Sequence, residues 1–159
     1  MNYTCVICTG LHPSHACLAH MSLANLLAEI ELQGGYEGVG PEPVVSLEQF
    51  FADNVDLGSI GGNLNPHPGI ATFYRVLREI RDRPEVDDVL VGITQVPENG
   101  EWPCADHVYV ITTASPADVA EWAAPLGCDK PGDGWWNGGP PRWPIQVPGD
   151  AHIVTLWWD

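Results

Sequence analysis

Two groups of residues have types and spacings that could do chemistry, and the first lies at the N-terminus. Cys5, Cys8, Cys17 and His20 form the pattern C-x2-C-x8-C-x2-H. Two residues between ligands allow a tight turn to direct both side chains at one tetrahedral zinc ion. The eight-residue spacer is short for a zinc finger or ribbon, and reduced cysteines without any metal are the alternative. The pattern therefore predicts a structural zinc knuckle, with ordinary thiols as its competitor.

The second group is Cys104, Asp106 and His107, which lie within four residues of one another. A Cys–His pair supports nucleophilic catalysis when the imidazole lowers the thiol pKa. Residues so close together on an extended segment seldom converge on one point, which weakens this hypothesis. The chain contains no H-E-x-x-H, G-x-S-x-G or G-x-G-x-x-G motif. An enzyme of unknown class, using this cluster or a metal held by scattered histidines, is therefore the alternative hypothesis.

A third feature is an aromatic loop. Residues 131–149 hold ten glycines and prolines together with Trp135, Trp136 and Trp143. Rigid aromatic side chains on such a loop suit the centre of a protein interface, or a surface on which sugars or bases stack. They serve equally well as plugs that hold a long irregular loop against a sheet. Both interpretations stay open at this point.

The charge balance excludes several classes of partner. The 159 residues include 21 Asp and Glu against 6 Lys and Arg, a formal net charge of −15. Such a chain repels nucleic acid and anionic membranes, and it attracts basic surfaces. An immunity protein, an inhibitor or a DNA mimic would use this field by placing carboxylates where phosphates otherwise lie. The alternative is that the acids only keep a tryptophan-rich chain in solution.

Periodicity predicts a small α+β fold. Apolar stripes and caps predict helices near 22–33, 47–53, 70–83 and 116–126. Runs of β-branched residues predict strands of a mainly antiparallel sheet near 88–96, 106–113 and 152–158, with a further candidate at 3–8. We expect one α+β domain over residues 21–159, preceded by a knuckle or leader over residues 1–20. No run is long enough to span a membrane and no basic leader is present, so the expected location is cytoplasmic.

These observations favour a partner-binding protein over an enzyme. The docking surface is expected around residues 29–56 and 79–106, where carboxylates are frequent. Its candidate binding residues are Asp53, Asp56, Trp135, Trp136 and Trp143. The expected partner is a basic protein, neither nucleic acid nor membrane, and zinc is the one cofactor that the sequence suggests.

Overall fold

The computed structural model describes residues 23–158 and has the expected α+β fold. Its helices are α1 (Leu23–Leu32), α2 (Leu47–Phe51), α3 (Ile70–Arg81) and α4 (Pro116–Ala123). Its strands are β1 (Val44–Ser46), β2 (Val86–Gly92), β3 (His107–Thr112), β4 (Gly132–Asp133) and β5 (His152–Trp157). They form one antiparallel sheet in the order β1-β2-β3-β5-β4. Within the described residues, no helix is both long and apolar enough to cross a bilayer.

The four predicted helices are confirmed, and two of them begin with a reciprocal pair of cap hydrogen bonds. Ser46 accepts a hydrogen bond from the Gln49 N–H, and the Gln49 side chain accepts one from the Ser46 N–H. The same reciprocal pair joins Ser115 and Asp118 at the start of α4. These bonds satisfy amide donors that the first turn of a helix leaves without a partner.

Two of the predicted strands are confirmed as β3 and β5, and the one near 88–96 is corrected. Strand β2 begins at Val86 and ends at Gly92. It ends there because the backbone changes partner: the Thr94 N–H donates to the carbonyl of Cys104, which lies before β3. The candidate strand at 3–8 lies outside the described residues. The short strands β1 and β4 are not among the predictions.

The two faces of the sheet are covered differently. All four helices contribute apolar side chains to a large core on one face, where Val91, Val110 and Val154 are fully buried. On the other face, Tyr109 and Ile111 pack against residues of the 131–149 segment, including Trp135. The glycine- and proline-rich segment is therefore the cover of the second face, and it carries its tryptophans there.

The exposed edge of the sheet at β1 is capped by a side chain. The buried Gln33 amide donates to the Val44 carbonyl at 2.7 Å and accepts from the Val44 N–H at 3.0 Å. The Ser46 N–H is taken by Gln49. These are the outward-facing groups of the strand, since Val45 bonds inward to Val91. Another strand cannot add to this edge without displacing Gln33.

Candidate functional site

A cleft of about 410 Å³ brings together residues from five parts of the chain, and we name it the tryptophan cleft. One wall is aromatic and consists of Trp136, Trp157 and Trp158. The remaining lining comes from the loop at 58–63, from Thr94 and Gln95 beyond β2, and from Cys104 and Asp106 before β3. The cleft therefore contains three of the residues that the sequence singled out: Cys104, Asp106 and Trp136.

Negative charge surrounds the Cys104 thiol. Burial is the main cause that raises its pKa, and the carboxylates of Asp56, Asp106 and Glu101 raise it further. Among the described residues that line the cleft, none is Lys, Arg or His. An acidic environment of this kind opposes formation of a thiolate and favours a positively charged ligand.

We expect the Cys104 thiol to be a poor nucleophile. Because its pKa is raised, the thiolate fraction at pH 7–8 is lower than in the unfolded chain, and alkylation by iodoacetamide should be several-fold slower. The rate should rise with pH along a curve shifted to higher pH than that of the denatured protein. Peptide-level mass spectrometry separates Cys104 from the other four cysteines. Alkylation of Cys104 that is faster than in the denatured protein would contradict this prediction and support the enzyme hypothesis.

Directly behind the cleft lies a buried polar group, the Glu42 cluster, made of Glu42, His107 and Tyr109. His107 and Glu42 are only 1% and 3% exposed. The Tyr109 hydroxyl and His107 Nε2, the latter at 3.3 Å, both contact Oε1 of Glu42. Burial raises the pKa of Glu42, but the hydrogen bonds from His107 and Tyr109 outweigh burial and lower it overall. The carboxylate is therefore ionised, so both neighbours must donate to it, and Nε2 of His107 carries a proton.

The ionised carboxylate acts in turn on Tyr109. Burial, and then the hydrogen bond to Glu42, raise the pKa of the Tyr109 hydroxyl well above its ordinary value. Nδ1 of His107 is buried and has no hydrogen-bond partner among the described residues. The cluster thus buries the ionised carboxylate of Glu42, which the hydrogen bonds from His107 and Tyr109 stabilise.

The Glu42 cluster supports Trp136 in the wall of the cleft. The Trp136 indole stacks on the His107 ring at 5.3 Å between centroids and 10° between planes, and it forms a T-shaped pair with Trp157 at 4.6 Å between centroids. Trp135 packs edge-on against Tyr109 at 4.9 Å. Trp135 is therefore a plug, as one interpretation of the loop holds. Trp136 has one face packed on His107 and still exposes 39% of its surface, so it is available to a ligand.

The absence of a side chain at Gly92 makes room for the His107 ring. Gly92 pairs with His107 across β2 and β3, and a Cβ atom built on Gly92 would lie 2.1 Å from His107 Nε2. Only glycine leaves space for the imidazole there. Neither Gly92 nor Glu42 is among the functional residues predicted from the sequence. The sequence does hold one signal for this cluster. His107 and Tyr109 are two residues apart in a predicted strand and therefore lie on the same face of the sheet.

The other predicted site residues lie apart from the cleft lining. Trp143 is 47% exposed and lines a second cavity of about 500 Å³ near β1. Asp56 accepts a hydrogen bond from the Gly58 N–H at the start of a short 3-10 helix, and Asp53 lies exposed after α2. The four predicted zinc ligands, Cys5, Cys8, Cys17 and His20, lie outside the described residues. Within residues 23–158, no group of three or more potential ligands is placed to hold a metal ion.

Comparison with known proteins places the chain in a family. The model of the family described as "Uncharacterized protein YfbO family" matches residues 21–156. The chain belongs to the YfbO family. It is 40% identical over 120 residues to a protein of Escherichia coli (strain K12) described as "Uncharacterized protein YfbO", and the match covers 75% of this chain and 84% of that relative. No solved structure matches. The region matched by the family model contains the Glu42 cluster and the lining of the tryptophan cleft except Trp157 and Trp158.

Proposed function

We propose that this member of the YfbO family is a small acidic binding protein, such as an immunity or inhibitor protein, that docks on a basic protein partner. The observation that carries the proposal is the tryptophan cleft, which is lined by three tryptophans and Asp106 and by no basic residue among the described residues. Tryptophan side chains in a pocket are typical of the energetic centre of a protein interface. Charge of one sign at such a pocket favours a partner of the opposite sign.

The placement of the arginines supports this proposal. Each of the five is bound within the chain: Arg75 to Glu79, Arg81 to Glu48, Arg78 over the Tyr74 ring, Arg83 over the Trp122 ring, and Arg142 to the Gln33 and Gly35 carbonyls. Since the acidic residues exceed the basic ones by 15, most carboxylates cannot be neutralised internally. The surface field is therefore negative and speeds encounter with a basic protein. Carboxylates that stand where phosphates otherwise lie would make DNA mimicry one form of such docking.

The structure also limits how a partner could dock. Gln33 and Gln49 occupy the outward-facing groups of β1, so strand addition at that edge is blocked. The half-exposed Trp136 offers a rigid apolar anchor instead. Docking through side chains at the cleft is the mode that these contacts favour.

The enzyme alternative has less support. The pKa of Cys104 is raised by burial and by neighbouring carboxylates, which is opposite to what an activated cysteine needs. The His107 Nε2 atom is engaged by Glu42 behind the cleft. The geometry therefore favours binding at Cys104 and Asp106 over catalysis.

A capture experiment with two charge-matched variants tests the proposal. The immobilised protein is exposed to native lysate at about 50 mM and about 500 mM salt, and retained proteins are identified by mass spectrometry. The cleft variant Glu101→Gln/Asp106→Asn removes two charges beside Cys104, and the control Glu121→Gln/Asp150→Asn removes two exposed charges that do not line the cleft.

The expected result is a basic protein that is retained at low salt, released at high salt, and held more weakly by the cleft variant than by the control. Opposed charges account for both effects, because salt screens them and the cleft variant removes them. Retention that does not depend on salt concentration, or that both variants reduce equally, would contradict docking at the tryptophan cleft.

A further inference from the structure

We propose that the tryptophan cleft is the receptor site for one arginine side chain of the basic partner. This inference rests on the proposed function and identifies the chemical group that the cleft recognises. A guanidinium is planar, permanently charged and weakly hydrated, so it stacks on aromatic rings and pairs side-on with carboxylates. Tryptophans and the carboxylate residue Asp106 both line the same cleft of about 410 Å³.

The aromatic wall supplies the stacking surface. The Trp136 indole is fixed because one face lies on His107 and Trp157 meets it edge-on. It nevertheless exposes 39% of its surface and lines the cleft. A tryptophan held in place before the ligand arrives loses little side-chain entropy on binding, and tryptophan is the strongest aromatic partner of a cation.

The polar lining supplies the counter-charge and the hydrogen-bond acceptors. Asp106 is exposed in the cleft, and the carboxylates of Asp56 and Glu101 lie near enough to act on Cys104. Asn63 and Gln95, two residues with side-chain amide groups, line the same cleft. A guanidinium carries five N–H donors in a plane, which several acceptors on different sides can satisfy, whereas a lysine ammonium offers three donors at one point.

No arginine of the described chain fills the cleft. The five arginines are engaged at other places, by Glu79, Tyr74, Glu48, Trp122 and the carbonyls after α1. The cleft therefore presents an aromatic and acidic lining without an internal cation. An arginine from another protein has the chemistry to complete it.

The test uses a small probe and its neutral isostere. Nα-acetyl-arginine methylamide and Nα-acetyl-citrulline methylamide have nearly the same shape and differ in charge. Each is titrated into the 15N-labelled chain, and the indole N–H signals of Trp136 and Trp157 report occupancy of the cleft. We expect the arginine probe to bind about 10-fold more tightly than the citrulline probe, and more tightly than the matching lysine probe.

Four variants, one of them a control, separate recognition from simple structural damage. Asp106→Asn should weaken arginine binding several-fold without changing citrulline binding. Trp136→Leu should abolish the preference for arginine, and Trp136→Phe should restore part of it because an aromatic face returns. The control Trp143→Leu removes a similarly exposed tryptophan outside the cleft and should leave binding unchanged.

Equal binding of arginine and citrulline, or shifts that avoid Trp136 and Trp157, would overturn the arginine site. If a basic protein is still captured in a salt-dependent way that needs Asp106, the proposed function survives that result. If the arginine probe binds in the cleft while no captured protein depends on Glu101 and Asp106, the proposed function fails and the arginine site stands.

Discussion

Replacement of Gly92 by alanine is expected to lower the free energy of unfolding by about 3–5 kcal/mol, measured by urea denaturation. The new Cβ atom would lie 2.1 Å from Nε2 of His107, far inside van der Waals contact. The imidazole cannot retreat freely, because Trp136 covers its face and Glu42 holds Nε2. Relief of the clash therefore requires breaking the hydrogen bond to a buried carboxylate or displacing β2 from β3.

Two controls make this prediction specific. Gly132→Ala is a second glycine replacement in the same sheet, and its Cβ would meet no atom within 4 Å, so it should change stability by less than about 0.5 kcal/mol. In the double variant Gly92→Ala/His107→Ala the clashing ring is gone. We expect that variant to be no less stable than His107→Ala alone, so the coupling equals the whole cost of Gly92→Ala, about 3–5 kcal/mol. Additive costs would show that the imidazole does not occupy the space above Gly92.

The elements that can be predicted from the sequence are those whose determinants lie close together in the chain. Helix α3 and the cap pairs Ser46–Gln49 and Ser115–Asp118 are predictable because their determinants lie within a few residues of one another. Strand β1 has only three residues, and it exists because Val45 pairs with Val91, which is far away in the chain. No local pattern indicates such a strand, because its partner supplies most of its stabilisation.

The candidate site shows the same division. Asp106 and His107 are neighbours in sequence, but successive side chains of an extended segment point to opposite sides. Asp106 is exposed in the cleft, whereas His107 is buried against Glu42. Two strand pairings bring Glu42 next to His107. Val44 pairs with Gly92 across β1 and β2, and Gly92 pairs with His107 across β2 and β3. Sequence spacing indicated the cleft residues Cys104 and Asp106 but not the carboxylate behind them.

The second large effect is expected for Glu42→Leu, which should lower the free energy of unfolding by about 2–5 kcal/mol at pH 7. The change removes the acceptor shared by His107 and Tyr109 and leaves two buried donors without a partner. Near-ultraviolet circular dichroism should also change, because Trp136 stacks on His107. The control Glu37→Leu removes an exposed carboxylate a few residues away and should have little effect on either measurement.

Acid should narrow the difference between the wild-type chain and Glu42→Leu. Burial raises the pKa of Glu42, but the hydrogen bonds from His107 and Tyr109 outweigh it and hold that pKa below its ordinary value of 4.5. A carboxyl with a lowered pKa in the folded state stabilises the fold above its unfolded pKa, and that contribution is lost as pH falls through the folded value. Below pH 4.5 the wild type should therefore lose stability that Glu42→Leu never had, in unfolding curves recorded at pH 7 and at successively lower pH. A difference that stays constant down to the acid transition would mean that the Glu42 cluster holds a neutral carboxyl, and that the negative charge behind the cleft is absent.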